Sequence, residues 1–180
     1  ELEKDLELAR DRFCFCCATS LRHSDLELLK KSHFDDPDNP TSFTIITKKT
    51  IDAPTIFLNE YSKSLYMKYK DMKTDKGLLF PRKSNQKMNK CLKKIASRLG
   101  ITREVNITEY CGNERTDITT KICDIIATHA GRRTFVVHCA EKGWTEEQIR
   151  AYTGHEDFKA LRPYFTIGSK KRQQLMENNF

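Results

Sequence analysis

The chain lacks the long apolar segments that would place it in a membrane. No run approaches the roughly 20 apolar residues that a transmembrane helix needs. The first ten residues are charged throughout, unlike a secretory signal peptide. No internal repeat or low-complexity tract is present either. We therefore expect a cytoplasmic protein that makes no membrane contact.

The seven cysteines do not indicate a disulfide framework or a zinc site. Three lie together in an apolar run and four are scattered singly along the chain: Cys14, Cys16 and Cys17, then Cys91, Cys111, Cys123 and Cys139. Small thiols in apolar surroundings are usually buried, and they stay reduced inside cells. We expect free thiols, and neither a metal nor another cofactor.

The positive charge of the chain is concentrated in one segment. At 180 residues the chain can bury one substantial core, so we expect a single domain over residues 1–180, with a polar tail at 167–180. The net charge is +7, yet Lys63 to Arg98 alone holds twelve Lys or Arg residues against two Asp. A one-sided basic surface attracts polyanions such as nucleic acid, although many basic faces are merely solvated.

Hydrophobic periodicity predicts helices in the first part of the chain. Five apolar residues at helical spacing predict a first helix that ends near Thr19: Leu2, Leu6, Ala9, Phe13 and Cys17. A second helix, SDLELLKK, is expected to begin after the cap Ser24. Arg22 would then lie at a helix junction, where its side chain can reach a ligand.

The middle of the chain predicts two hairpins and a basic helix. SFTIITKKT and APTIFLN are expected to pair antiparallel, with Lys48 and Lys49 where the first strand enters the turn. VNITEYCGNERTDITT predicts two short strands around a Gly-Asn turn. A helix between them ends at Gly100, and its polar face carries five candidate DNA-binding residues: Lys87, Lys90, Lys93, Lys94 and Arg98.

Two further helices end the predicted fold. One runs from Ala130 to Lys142, and the next, EEQIRAYT, follows a capping box that begins at Thr145. Gly154 can end that helix in a left-handed conformation, which puts His155 just beyond a helix terminus. The expected fold class is α+β, mainly helical, with small antiparallel β-hairpins.

Several of these residue types fit metal-independent cleavage of a DNA phosphodiester. The transition state concentrates negative charge on non-bridging oxygens, which guanidinium groups bind bidentately. A tyrosine hydroxyl can attack phosphorus and form a covalent phosphotyrosine, which keeps the energy of the phosphodiester bond. Because the ordinary pKa of tyrosine is near 10, nearby cations or a base must help to remove its proton. The departing 5′ oxygen needs a proton, which a lysine or histidine can donate.

The sequence resembles the catalytic domain of the tyrosine recombinases, or phage-type integrases. The resemblance extends from about Asp11 to Ile167 and depends on the order of several short motifs: TSLRHSDL at 19–26, Lys49-Thr50, HAGRRTF at 129–135, Thr153-Gly-His155, and Tyr164. The motifs look most like those of integrases from conjugative transposons and related mobile elements. The resemblance implies the tyrosine recombinase fold and a bacterial, cytoplasmic protein.

The resemblance implies a role for each motif residue. Arg22 and Arg132 would bind the scissile phosphate, and His155 would donate a further hydrogen bond to it. Asp25, one helical turn beyond Arg22, would support the site by orienting it.

The remaining roles concern the nucleophile and its protons. Tyr164 would attack and become linked to the 3′ phosphate, and His129 would assist proton transfer around it. Lys49 would be the general acid for the 5′ oxygen. Lys48 stays an alternative, since strand alternation sends neighbours to opposite faces. Tyr152 is the rival nucleophile, but it precedes His155 by only three positions within a helix.

Two positions depart from the pattern of the family. Ser20 stands where members usually have glycine before the Leu-Arg pair, which bears on the geometry of that turn. Pro163 immediately precedes Tyr164 and restricts Arg162 to extended conformations, so it bears on the position of the nucleophile.

The resemblance implies site-specific recombination or integration of double-stranded DNA. Full-length members carry an upstream core-binding domain, which we expect to be missing here because the chain opens with Glu within a helical pattern. They act as homotetramers, and accessory DNA-bending proteins are possible partners. Two alternatives stay open: relaxation of DNA by an enzyme like a type IB topoisomerase, and a non-catalytic DNA-binding module with the same fold.

Overall fold

The computed structural model describes residues 2–45, 55–112, 114–154 and 177, and these ranges hold seven α-helices and two strand pairs. The helices are α1 (Lys4–Thr19), α2 (His23–Leu26), α3 (Glu60–Tyr69), α4 (Asn85–Arg98), α5 (Ile122–Ile125), α6 (His129–Glu141) and α7 (Glu146–Thr153). Antiparallel pairs form between β1 (Ser42–Thr44) and β2 (Thr55–Phe57), and between β3 (Glu104–Cys111) and β4 (Glu114–Lys121). The predicted fold class, α+β and mainly helical, is confirmed. No helix in the described ranges is long and apolar enough to cross a bilayer.

Helix α1 lies at the centre of the fold and contacts α3, α4 and α6. Of the predicted stripe, Leu6 and Ala9 are buried, whereas Phe13 and Cys17 are partly buried. Phe15 and Cys16 are buried instead, and so is the charged Arg12. A helix with neighbours on several sides buries more than one face, so one-sided periodicity does not identify its core residues.

An aromatic cluster fixes the first strand pair against α1. Phe15 packs against Phe43 of β1 and against Phe80, with ring centroids 6.1 and 5.5 Å apart. Phe34 contacts both Phe43 and Tyr66 of α3. Such aromatic pairs add about 0.5–1.5 kcal/mol each beyond their buried area. The cluster therefore holds β1 and β2 firmly beside the C-terminal half of α1.

Helix α2 is shorter than the sequence predicts and begins two residues earlier. It covers only His23–Leu26, and Arg22 occupies its N-cap position with extended backbone angles. The chain leaves the helix because Leu29 is fully buried and its carbonyl accepts a hydrogen bond from the Leu79 N–H. Lys30 then forms an isolated β-bridge to another segment, which is incompatible with a continuing helix.

The later elements follow the predicted signals closely. The capping box of α7 is present, with reciprocal bonds between Thr145 and Gln148. Gly154 ends this helix with φ 64°, the left-handed conformation that was predicted. Strands β3 and β4 pair continuously from Glu104↔Lys121 to Cys111↔Glu114 and are longer than expected. Helix α5, which connects this hairpin to the next segment, was not predicted.

Helix α1 ends at a serine in a conformation that favours glycine. Ser20 has φ 62° and ψ 7°, and its N–H donates to the Cys16 carbonyl. A side chain with a Cβ is strained by about 1–2 kcal/mol in this region. The Ser20 Oγ atom is buried and has no hydrogen-bond partner among the described residues. The departure from the family's glycine therefore preserves the turn and costs stability.

Replacing Ser20 with glycine is expected to raise the free energy of unfolding by about 1 kcal/mol, because it removes strain at a positive φ. Ser20→Ala is the matched control, since it removes the hydroxyl but keeps the Cβ. Urea unfolding of the three proteins separates the two contributions. A glycine variant no more stable than the alanine variant would show that the backbone at Ser20 is unstrained.

Candidate active site

The turn after α1 presents Arg22 toward one side of the molecule. Leu21 is buried and anchors this turn, while the Arg22 side chain is 30% exposed. One guanidinium nitrogen of Arg22, Nη1, lies 3.6 Å from Oδ2 of Asp25, three residues later in α2. The carboxylate is largely buried, so it restricts the directions that the guanidinium can take. Arg22 is thus held at its base and accessible at its tip.

Arg132 joins two distant parts of the chain. Its side chain is buried, Nη1 donates to the Ser20 carbonyl at 2.8 Å, and Nη2 donates to the Thr153 carbonyl at 2.6 Å. Ser20 precedes the Leu21-Arg22 pair, and Thr153 precedes Gly154. One guanidinium therefore connects the Arg22 turn to the end of α7.

Close packing of α6 on α1 makes this connection possible. Gly131 precedes Arg132 and faces α1. A Cβ at this position would lie 3.0 Å from the Cys16 Cβ and 3.3 Å from the Phe13 carbonyl oxygen. Only glycine lets the two helices come this close without a shift. The Arg132 side chain consequently begins near the end of α1 and reaches Ser20.

The two arginines interact electrostatically. Burial lowers the pKa of Arg132 to about 10, and the positive charge of Arg22 contributes in the same direction, whereas Asp25 opposes it. Arg132 therefore stays charged at neutral pH. Two like charges lie close together here, and Asp25 is the carboxylate among the described residues that acts on both of them. Guanidinium groups form charge-assisted hydrogen bonds with oxyanions, so this pair suits a bound phosphate.

His129 opens α6 on the same side. Partial desolvation lowers the pKa of its exposed imidazole, and the charges of Arg133, Arg132 and Arg22 lower it further. The neutral form then predominates near neutral pH, and this form can accept a proton. A base next to two guanidinium groups suits proton transfer at a phosphate.

A cavity joins these elements. Three charged residues line it: Arg22, Asp25 and Arg132. The rest of the lining comes from the end of α1 and the turn after it, the region of the first strand pair, and the end of α7: Thr19, Ser20, Leu21, Ile45, Ile56, Tyr152, Thr153 and Gly154. Ile45 precedes Lys49 by four positions, and Gly154 directly precedes His155. Lys48, Lys49, His155, Pro163 and Tyr164 themselves lie outside the described residues.

The rival nucleophile Tyr152 is part of the packed structure. Its hydroxyl donates to the Phe57 carbonyl at 2.6 Å, and its ring stacks on Phe135 with centroids 5.1 Å apart. Burial raises the pKa of Tyr152 to about 12. A phenol with a bonded hydroxyl and a raised pKa is poorly suited to attack phosphorus.

The basic face of α4 is exposed along its length. All five predicted DNA-binding residues lie on it: Lys87, Lys90, Lys93, Lys94 and Arg98. Two of them contact Glu3 at the start of α1, since Lys94 Nζ lies 3.1 Å and Arg98 Nη2 3.0 Å from Glu3 Oε1. These bonds, led by that of Lys94, lower the pKa of Glu3. The N-terminal half of α4 therefore carries the less compensated charge.

Sequence reasoning missed several long-range polar contacts that support the site. Arg12 lies in α1 and donates to Glu27, just beyond α2. Asn85 and Asn89 of α4 bond to Thr128, which precedes His129. Arg12 ends the charged triplet RDR directly before the apolar run FCFCC, so the sequence carries no clear signal for its burial. Among the described residues no group of three His, Cys, Asp or Glu side chains could hold a metal.

The chain belongs to the phage integrase family, because the model of that family matches residues 4–170. This match confirms the resemblance to tyrosine recombinases. No curated protein sequence matches the chain.

Solved structures share the fold at low sequence identity. XerA recombinase is 16% identical with a TM-score of 0.66, over 99% of this chain and 65% of that one. An integrase of the Tn1549 transposon, in complex with a circular intermediate DNA, is 16% identical with a TM-score of 0.64, over 98% and 60%. The catalytic domain of bacteriophage HP1 integrase is 17% identical with a TM-score of 0.55, over 99% and 94%. The chain thus spans less than two thirds of the XerA and Tn1549 chains.

Proposed function

We propose that the chain is the catalytic domain of a site-specific recombinase that cuts and rejoins DNA through a covalent 3′-phosphotyrosine. The observation that supports this best is the cavity bordered by Arg22 and Arg132, with the imidazole of His129 in electrostatic contact with both charges. Two fixed guanidinium groups beside a neutral base suit a phosphodiester under nucleophilic attack.

In the proposed reaction the arginines bind the non-bridging oxygens of the scissile phosphate. Tyr164 attacks phosphorus, and its phenolic proton passes to His129. The bond to the 5′ oxygen breaks, and Lys49 gives that oxygen a proton. The 3′ phosphate is now esterified to Tyr164, so its bond energy is kept. Attack by another 5′ hydroxyl reverses the steps and rejoins the strands.

His155 and Asp25 complete the proposed site. His155 follows Gly154, whose left-handed conformation ends α7, and it would donate to a non-bridging oxygen. Asp25 lies near one nitrogen of Arg22 and would keep this guanidinium turned toward the phosphate.

Double-stranded DNA is the proposed substrate, and the exposed basic face of α4 is the proposed contact for its backbone. XerH recombinase was solved bound to its difH substrate, and the Tn1549 integrase with circular intermediate DNA. By analogy we propose action on the DNA of a mobile element in the bacterial cytoplasm. In a full-length protein the active form would be a homotetramer on DNA, with accessory DNA-bending proteins as further partners.

A suicide substrate tests this proposal. Duplexes that carry the ends of the encoding element, nicked near the cleavage position, lose a short oligonucleotide after attack and trap the covalent intermediate. The wild-type chain is expected to give a protein–DNA adduct on a denaturing gel, and Tyr164→Phe is expected to give none, because it lacks the nucleophilic oxygen.

Tyr152→Phe is the matched control and should retain the adduct. Adduct formation by Tyr164→Phe would identify another nucleophile. No adduct from the wild-type chain, where a known recombinase reacts with its own substrate, would contradict the enzymatic proposal and favour a non-catalytic DNA-binding module. Relaxation of supercoiled DNA without strand exchange would instead favour a topoisomerase.

A further inference from the structure

Two asparagines of the basic helix hold the start of the helix that carries His129. The Thr128 N–H donates to Oδ1 of Asn89 at 2.9 Å, and the Thr128 hydroxyl donates to Oδ1 of Asn85 at 2.7 Å. Thr128 is the N-cap residue of α6, and its own side chain does not cap that helix. Asn89 therefore satisfies a backbone N–H group at the α6 N-terminus, where such groups lack helical partners.

The two asparagines are well placed to act as a fixed support. They stand four residues apart in α4, so they lie one above the other on the same face. The neighbouring face of this helix is anchored in the core by Met88 and Leu92, which are almost completely buried. Helix α4 also packs against α1, so its position is tied to the centre of the fold.

The contact with Thr128 bears directly on the positions of the catalytic candidates. His129 is the next residue after Thr128, and the charges of Arg132 and Arg22 act on its imidazole. A displacement of Thr128 would change the distance from this imidazole to both arginines. Lys87 and Lys90 are exposed in the same two turns of α4 as the asparagines. Contacts of DNA with these lysines would therefore act on the segment that positions the histidine.

We propose that Asn85 and Asn89 are positioning residues for His129, and that they connect the DNA-binding helix to the reaction centre. This inference rests on the proposed function, because it gives the two asparagines a part in strand cleavage. Without them α6 would still form from its core contacts, through Phe135 and Val136. Its first turn would lose the bonds that fix the imidazole.

The first measurement is the rate of adduct formation in a single turnover at saturating suicide substrate. Asn89→Ala and Asn85→Ala are each expected to react about tenfold more slowly, less than the ~100-fold that a full 1 Å displacement can cost. Equilibrium DNA affinity should stay within twofold of wild type, since neither residue contributes charge. Asn89→Asp keeps an oxygen acceptor for Thr128 and should restore most of the rate. Gln86→Ala, an exposed neighbour, is the matched control.

The second measurement needs no catalysis. Proton NMR titration of the free protein follows the His129 imidazole, assigned by its loss in His129→Gln. In Asn89→Ala its pKa is expected to rise toward the ordinary value, because the imidazole moves away from the arginines. If the wild-type chain forms no adduct, the proposed function fails and this titration still tests the inference. An unchanged titration together with a wild-type cleavage rate in both alanine variants would overturn it.

Discussion

Arg132→Ala is expected to slow formation of the covalent adduct by about 10²–10³-fold, the usual loss when one fixed donor to a transition state is removed. The same substitution should destabilise the fold. Two buried carbonyls, of Ser20 and Thr153, lose their donor, and an unsatisfied buried group costs about 1–3 kcal/mol. Adduct rates are measured well below the unfolding midpoint of each protein, so that both effects are seen separately.

Two further variants define the cause of this loss. Arg133→Ala removes the same charge from the adjacent, exposed position and is expected to retain the wild-type rate within a few fold. Arg132→Lys keeps the charge, but an ammonium cannot span two carbonyls as a planar guanidinium does. It should therefore remain far below wild type in rate. An Arg132→Lys protein with full activity would show that charge alone suffices at this position.

Local signals predicted those parts of the fold whose geometry is decided within a few residues. The capping box at Thr145 and the glycine at 154 each specify a hydrogen bond or a backbone angle locally, and both are present. The length of α2 was wrong because its end is decided elsewhere. The Leu29 carbonyl pairs with the N–H of Leu79, fifty positions away, and no local pattern around Ser24 contains that information.

The candidate site shows the same difference between features set by local sequence and features set by distant contacts. The resemblance located Arg22 and Arg132 through short motifs, but it did not indicate that Arg132 would be buried. Two of its partners are the backbone carbonyls of Ser20 and Thr153, and any residue type at these positions provides a carbonyl. The asparagine contacts with Thr128 also join segments about forty positions apart. Such contacts become visible only once packing has brought the helices together.

An ion pair between the buried Arg12 of α1 and the partly buried Glu27 after α2 gives the largest expected effect on stability. Arg12 is completely buried and donates through its two Nη atoms to the Glu27 carboxylate and the Pro81 carbonyl. Glu27 also lies 3.6 Å from the His23 imidazole, between Nε2 and Oε1. Burial lowers the pKa of Arg12 to about 10, so the guanidinium remains charged at neutral pH. Glu27 is the carboxylate in direct contact with it among the described residues.

Removing Glu27 is expected to destabilise the protein by about 3–5 kcal/mol, because the Arg12 charge stays buried. Removing Arg12 should cost less, because the Glu27 side chain is 22% exposed. Glu27→Leu removes the carboxylate and Arg12→Met removes the guanidinium. The double variant then gives the coupling energy between the two residues. Apolar replacements of both partners often restore stability, so the double variant should be more stable than either single one. Urea unfolding of the four proteins closes the cycle. A double variant that loses the sum of both single effects would mean that Arg12 and Glu27 contribute independently.

The same four proteins show whether the pair also serves catalysis. Arg22 is the N-cap residue of α2, and Glu27 follows that helix by one residue, so the Arg12 contact fixes the segment that presents Arg22. An apolar pair can fill the space but cannot reproduce the directional bonds to Glu27 and Pro81. We therefore expect the double variant to recover stability more completely than the rate of adduct formation. Equal recovery of both would mean that packing alone is sufficient to orient Arg22.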